Sequence, residues 1–155
     1  MEIILTLTLT SCFSTNRKGD VPPFDLLLPD STTVFNTSQI PRGKPVVLIY
    51  FSPDCEHCQQ QTQDILNKID SLNEVNFYFI TNDPFDRLKI FNKYYKLYKY
   101  KNIMLGRDIN FSFIKYFKPT GTPYLIVYNQ RKVLRAVFGQ ETKATRLIQF
   151  MNETM

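Results

Sequence analysis

Residues 46–58 read Val46-Val47-Leu48-Ile49-Tyr50-Phe51-Ser52-Pro53-Asp54-Cys55-Glu56-His57-Cys58, and this stretch decides the fold. Val46 to Phe51 is an unbroken β-prone run, the pattern of a strand buried on both faces. Ser52-Pro53-Asp54 stops it. Beyond the stop, apolar or small side chains recur at Cys58, Thr62, Ile65, Ile69 and Leu72, which predicts a helix with one inward face. The two cysteines sit at the strand–helix junction. There the first helical N–H groups lack partners, and the positive end of the helix dipole favours a thiolate over a thiol. Cys55, in the first turn, is the expected nucleophile. Cys58 lies one turn deeper and can reach the same sulfur to close a disulfide. His57 is a candidate cationic donor beside the pair, while Glu56 adds a charge that opposes the thiolate.

Working outward, the strand has neighbours on both sides in sequence. Upstream, Phe24 to Leu28 and Thr33-Val34-Phe35 flank Pro29-Asp30-Ser31 and predict a short hairpin. Downstream, Val75 to Ile80 is a second buried-type strand. Asp83-Pro84 opens a helix whose inward stripe is predicted as Leu88, Phe91, Tyr95 and Tyr98. Ile103 to Leu105 predicts a short strand and Asn110 to Phe117 a short helix. Tyr124 to Tyr128 and Val133 to Phe138 flank the turn Asn129-Gln130-Arg131-Lys132, an antiparallel hairpin. Ala144, Leu147, Ile148 and Met151 form the inner stripe of a last helix. Helices alternating with strands, then a closing hairpin, predict an α/β sandwich with a mixed central sheet. No internal repeat is present.

Composition narrows the function. At 155 residues and 43% hydrophobic, the chain has one domain's core, and it lacks the low hydrophobicity of a disordered segment. No apolar run reaches the roughly 20 residues that span a bilayer, which excludes a polytopic membrane protein. Three cysteines cannot form a closed disulfide framework, so they read as Cys12 alone plus the Cys55–Cys58 pair. A structural zinc site wants four ligands, and the chain offers this pair and a single histidine, so no metal is expected. Covalent haem attachment needs His straight after the second cysteine, where Gln59 stands. A peroxidatic cysteine would want Pro seven residues earlier, where Leu48 stands. Two inert buried thiols remain as the bland alternative, poorly matched to a strand–turn–helix junction. Redox chemistry without a cofactor is the expectation.

Residues 3–11 are apolar or small, and Leu9-Thr10-Ser11-Cys12 resembles the bacterial lipobox. The resemblance implies a signal peptide over 1–11, a lipid on Cys12, a largely polar tether over 12–22, and a domain over 23–155. The competing reading is a β-prone N-terminal strand carrying a buried free thiol. A short apolar stretch, and Glu2 where Lys or Arg is usual, favour that competitor. The expected location is extracytoplasmic, membrane-anchored, facing the periplasm of a Gram-negative cell.

From about Pro23 to Met151 the sequence resembles the thioredoxin superfamily, in particular the exported TlpA/ResA-like thiol-disulfide oxidoreductases. The motifs are Phe24-Asp25-Leu26, Gly43-Lys44-Pro45, Phe51 to Cys58, and Gly121-Thr122-Pro123. The resemblance implies a thioredoxin-like three-layer α/β/α sandwich with a mixed central sheet and an extra N-terminal β-hairpin. It implies that Pro123 is a cis-proline beside the cysteines and that Thr122 pairs its backbone with a substrate strand. It also implies protein thiols or disulfides as partners, with an upstream electron-donor thiol protein, and a monomer. The chain departs from the pattern where a proton-managing acid is usual: Ile49 stands six residues before Cys55, and Gln61 three after Cys58. Pro53-Asp54 replaces the usual aromatic. Gln61, Glu56 and His57 are therefore the candidates to modulate the pair. The frame is that of reductants while His57 matches oxidising members, which leaves the direction open.

Between Arg87 and Lys101, lysines interleave with tyrosines. The helical phase sets Lys89, Lys93 and Lys96 off the inward face, so a solvated lysine face is expected and a nucleic-acid partner is not. In a lipid-tethered domain those lysines could rest on anionic headgroups. Two functions from different classes stand: a thiol-disulfide oxidoreductase, or a non-catalytic thioredoxin-like binding module of a lipoprotein assembly.

Overall fold

The computed structural model describes residues 20–152. Cys12, the segment assigned to a signal peptide and most of the tether lie outside the described residues. Seven strands form one mixed sheet in the order β2-β1-β5-β4-β3-β6-β7. They are β1 Asp25–Leu27, β2 Val34–Asn36, β3 Val46–Tyr50, β4 Asn76–Thr81, β5 Ile103–Arg107, β6 Tyr124–Tyr128 and β7 Leu134–Phe138. The helices are α1 Glu56–Asn67, α2 Phe85–Tyr95, α3 Ser112–Phe117 and α4 Ala144–Asn152. β3, β4 and β5 run parallel, whereas β6 lies antiparallel to β3 and β1 antiparallel to β5. The predicted N-terminal hairpin, β1–β2, extends the sheet beyond β5.

Alternation along β3 explains the three layers. Val47 and Ile49 face a core built with Cys58 and Ile65 of α1, Leu88 and Phe91 of α2, and Ala144 and Leu147 of α4. Val46 and Leu48 face the opposite core with Phe113 of α3 and Phe24 and Leu26 of the hairpin. Every residue from Val46 to Ile49 is at most 1% exposed, as a doubly covered strand requires. The hairpin reaches the sheet because Gly106 has no side chain: a Cβ there would stand 2.7 Å from Leu26 Cβ.

Two helices are shorter than the periodicity predicts. α1 stops at Asn67; Lys68 leaves the helical region, and a 3₁₀ turn over Ile69–Leu72 still delivers Leu72 to the core. α2 stops at Tyr95 because Lys96 is left-handed at φ 53°, and the next 3₁₀ turn starts in a new phase. Leu97 therefore takes the core position, and Tyr98, expected on the inward stripe, is 65% exposed.

Candidate active site

The carboxyl end of β3 delivers the chain into the turn Phe51 to Asp54, and Cys55 is the N-cap residue of α1. Its backbone is fixed on both sides. Cys55 N–H donates to Ser52 O at 3.1 Å, and Gln59 N–H donates to Cys55 O at 3.0 Å. Gln59 Nε2 closes the turn by donating to Pro53 O at 2.9 Å. No side chain caps this helix, so its first N–H groups face the sulfur's surroundings.

The half-buried Cys55 Sγ donates to the Thr122 carbonyl at 3.5 Å, 67 residues along the chain. The Thr122–Pro123 peptide is cis, as the sequence resemblance implies. Cys58 is 1% exposed, lies close to Cys55 and packs in the core with Ile49. Both are free thiols in the structure. Their environments push them apart. At Cys55 burial raises the thiol, but hydrogen bonds from Cys58, Thr122 and the Cys58 and His57 backbone outweigh it and leave the net value lowered. At Cys58 burial, reinforced by the hydrogen bond with Cys55, pushes the thiol up to about 12. An accessible thiol with eased ionisation beside a buried, reluctant one is the arrangement that stepwise thiol exchange uses.

The flanking candidates divide. His57 Nδ1 lies 3.3 Å from Glu141 Oε2, across a recess of about 300 Å³ that Gly121, Thr122 and Pro123 also line. Glu56 turns away along the helix and accepts from Gln60 Nε2 at 3.2 Å. Gln61 is fully buried with both ends of its amide engaged: Nε2 donates to Thr142 O at 2.9 Å, and Thr142 N–H donates to Oε1 at 2.7 Å. It fastens α1 to the segment before α4. A second fastening is beside it, where Ala144 N–H donates to Asp64 Oδ2 at 2.6 Å. These two contacts place Glu141 next to His57. Glu141 and Thr142 were invisible in the sequence because their partners lie about eighty positions away with no local motif.

Asp54 pairs with Arg87 of α2 at the other side of the turn. Among the described residues, no group of three or more His, Cys, Asp or Glu side chains could hold a metal ion.

A sandwich with a helix-capping cysteine, a buried second cysteine and a carbonyl from a cis-proline loop defines a thioredoxin-fold protein with a paired-thiol site. A family model described as thioredoxin-like matches residues 43–133, and the chain belongs to that family. No curated protein matches the sequence. Among solved structures, the chain is similar to MTB DsbF at 20% identity and TM-score 0.71, covering 85% of this chain and 95% of that one. It is similar to a secreted Mycobacterium tuberculosis disulfide oxidoreductase homologous to E. coli DsbE, at 18% identity and TM-score 0.65, covering 83% and 92%. It is also similar to the M. tuberculosis peroxidoxin BcpB, at 14% identity and TM-score 0.72, covering 88% and 96%. At these identities the likeness establishes the fold.

Proposed function

We propose that the chain is a thiol-disulfide oxidoreductase of the TlpA/ResA-like kind that reduces disulfides of protein partners outside the cytoplasm. One observation carries the reading: Cys55, eased toward the thiolate and in contact with the Thr122 carbonyl, lies beside a buried Cys58. The Cys55 thiolate attacks one sulfur of a partner disulfide. A Cys55–partner bond forms, the partner's own S–S bond breaks, and one partner thiolate leaves. The Cys58 thiolate then attacks the Cys55 sulfur, which forms the Cys55–Cys58 disulfide and releases the second partner thiolate. The partner gains two electrons and takes up two protons as its thiolates protonate. An upstream dithiol protein reverses the same steps to restore the chain. Thr122, whose carbonyl Cys55 contacts, pairs its backbone with the partner strand beside Pro123. His57 modulates the open side of the pair.

Lipidation of Cys12 would anchor the domain to the membrane surface through residues 12–22. Among the described residues no helix is long and apolar enough to cross a membrane, which suits a tethered domain. The secreted DsbE homologue of the same fold supports the extracytoplasmic location.

Replacing Cys58 by Ala removes resolution and leaves attack. Incubated with an extracytoplasmic protein fraction, Cys58→Ala is expected to accumulate mixed disulfides on Cys55 that dithiothreitol releases. A Cys58→Ala chain that traps nothing, and a wild-type chain that never reduces hydroxyethyl disulfide, would establish a binding module instead.

A further inference from the structure

Helix α2 carries more apolar surface than the core covers. Leu88 and Phe91 are buried, yet Ile90 and Tyr94 on the adjoining arc are 69% and 76% exposed. Four positions apart, they form one stripe along the helix. Between that stripe and the start of α1 lies a groove of about 260 Å³, walled by Pro53, Asp54, Gln59, Arg87, Ile90 and Tyr94 among others. Pro53 and Asp54 directly precede Cys55, so the groove borders the turn that carries the thiol. It shares no residue with the recess at Thr122 and Pro123.

Charge supplies the second observation. Residues 85–101 hold Arg87 and five lysines against one carboxylate, Asp86, an excess equal to the whole chain's net charge of +5. Arg87 is already paired with Asp54. Lys89, Lys93, Lys96, Lys99 and Lys101 are all exposed, and among the described residues none of them takes part in an ion pair.

We propose that this groove docks the redox partner through a segment that inserts one aliphatic or aromatic side chain and flanks it with carboxylates. The inference rests on the thiol-disulfide reading above and names the chemistry of its partner. A concavity favours an inserted side chain over a flat anionic bilayer. Covering Ile90 and Tyr94 supplies the apolar contribution. Carboxylates meeting the lysines speed encounter more than they tighten the complex. A partner seated against Pro53 and Asp54 carries its disulfide to Cys55, which turns a chance collision into a positioned one.

The probes are short synthetic peptides with one cysteine, disulfide-bonded to thionitrobenzoate, and a phenylalanine flanked by three glutamates. The controls replace Phe by Ser, or the glutamates by lysines. Each rate of thionitrobenzoate release is divided by the same protein's rate with hydroxyethyl disulfide. Wild type is expected to prefer the acidic peptide to the basic one by about tenfold at low salt, a preference that shrinks as salt rises. Ile90→Asp and Lys93→Glu are each expected to remove most of that preference. Equal normalised rates for all peptides, or a preference that survives both substitutions, overturns the proposal. Binding to phosphatidylglycerol vesicles that Lys93→Glu abolishes, with no peptide preference, overturns it in favour of a membrane surface. Fluorescein-labelled versions with Ser for Cys read the groove by anisotropy without any thiol step. Inertness toward hydroxyethyl disulfide thus overturns the redox reading, whereas loss of the acidic preference in anisotropy overturns the groove.

Discussion

Alkylation of the reduced chain should separate the two thiols sharply. Cys58 is pushed up to about 12, so near pH 7.5 only about one molecule in 30,000 carries its thiolate. Cys55 lies below the ordinary thiol value, so its ionised share at the same pH is far larger. Nucleophilicity works against that advantage. A thiolate of higher pKa attacks faster, with a Brønsted slope near about 0.4–0.5, so for each tenfold that ionisation gives Cys55 roughly threefold returns to Cys58. The balance leaves Cys55 the faster thiol before access is counted. Access acts in the same direction, since Cys58 is 1% exposed. The assay is a quenched time course with iodoacetamide on the reduced protein, read site by site by mass spectrometry of peptides. Initial rates within about threefold of each other would refute the reasoning. They would show that local opening delivers Cys58 to water as often as Cys55.

The same burial makes the resolving step hungry for base: turnover with a disulfide substrate should climb by up to about tenfold per pH unit from pH 6 to 9. A plateau in that window would reveal a group that accepts the Cys58 proton. Gln61→Ala should lower stability by about 2–4 kcal/mol, because two buried hydrogen bonds vanish and both Thr142 backbone groups lose their partner. Urea unfolding measures this, and a loss below about 1 kcal/mol would refute the clamp. Gly106→Ala should cost about 1–3 kcal/mol as β1 is forced off β5, read as a lower urea midpoint with intact redox activity.

The strand–turn–helix at 46–58 was legible because composition and motif agree there. An unbroken β-prone run can only be covered on both sides, and the stop before Cys55 leaves no other place for the helix to begin. The closing hairpin was legible through its turn. Helix ends were not. The apolar spacing from Cys58 to Leu72 continues through the break at Lys68, since a 3₁₀ turn keeps Leu72 inward although the helix has ended. Periodicity cannot register a left-handed residue such as Lys96, which resets the phase and exchanges Tyr98 for Leu97. The strand order was also beyond a one-dimensional pattern, because β1 meets β5 only through the missing side chain of Gly106. Around the thiols the sequence named Cys55, Cys58 and Pro123 from motifs. It read Gln61 as a vacancy for an acid, whereas the structure has its amide closing a long-range contact.

That contact has a consequence for how the site comes into being. Cys55 meets Thr122 across 67 positions, Gln61 meets Thr142 across 81, and His57 meets Glu141 across 84. The motif is synthesised early and its setting late. A nascent chain carries both thiols through dozens of residues of synthesis before the carbonyl, the clamp and the recess that differentiate them exist. Contacts this distant in sequence are also slow to close, because loop entropy must be overcome before any of them forms. Until the chain as far as Thr142 has folded back onto α1, Cys55 and Cys58 are two ordinary thiols exposed to whatever oxidant the compartment holds. Truncation before Thr122 would leave the chain in that condition permanently, with the motif intact and its setting missing.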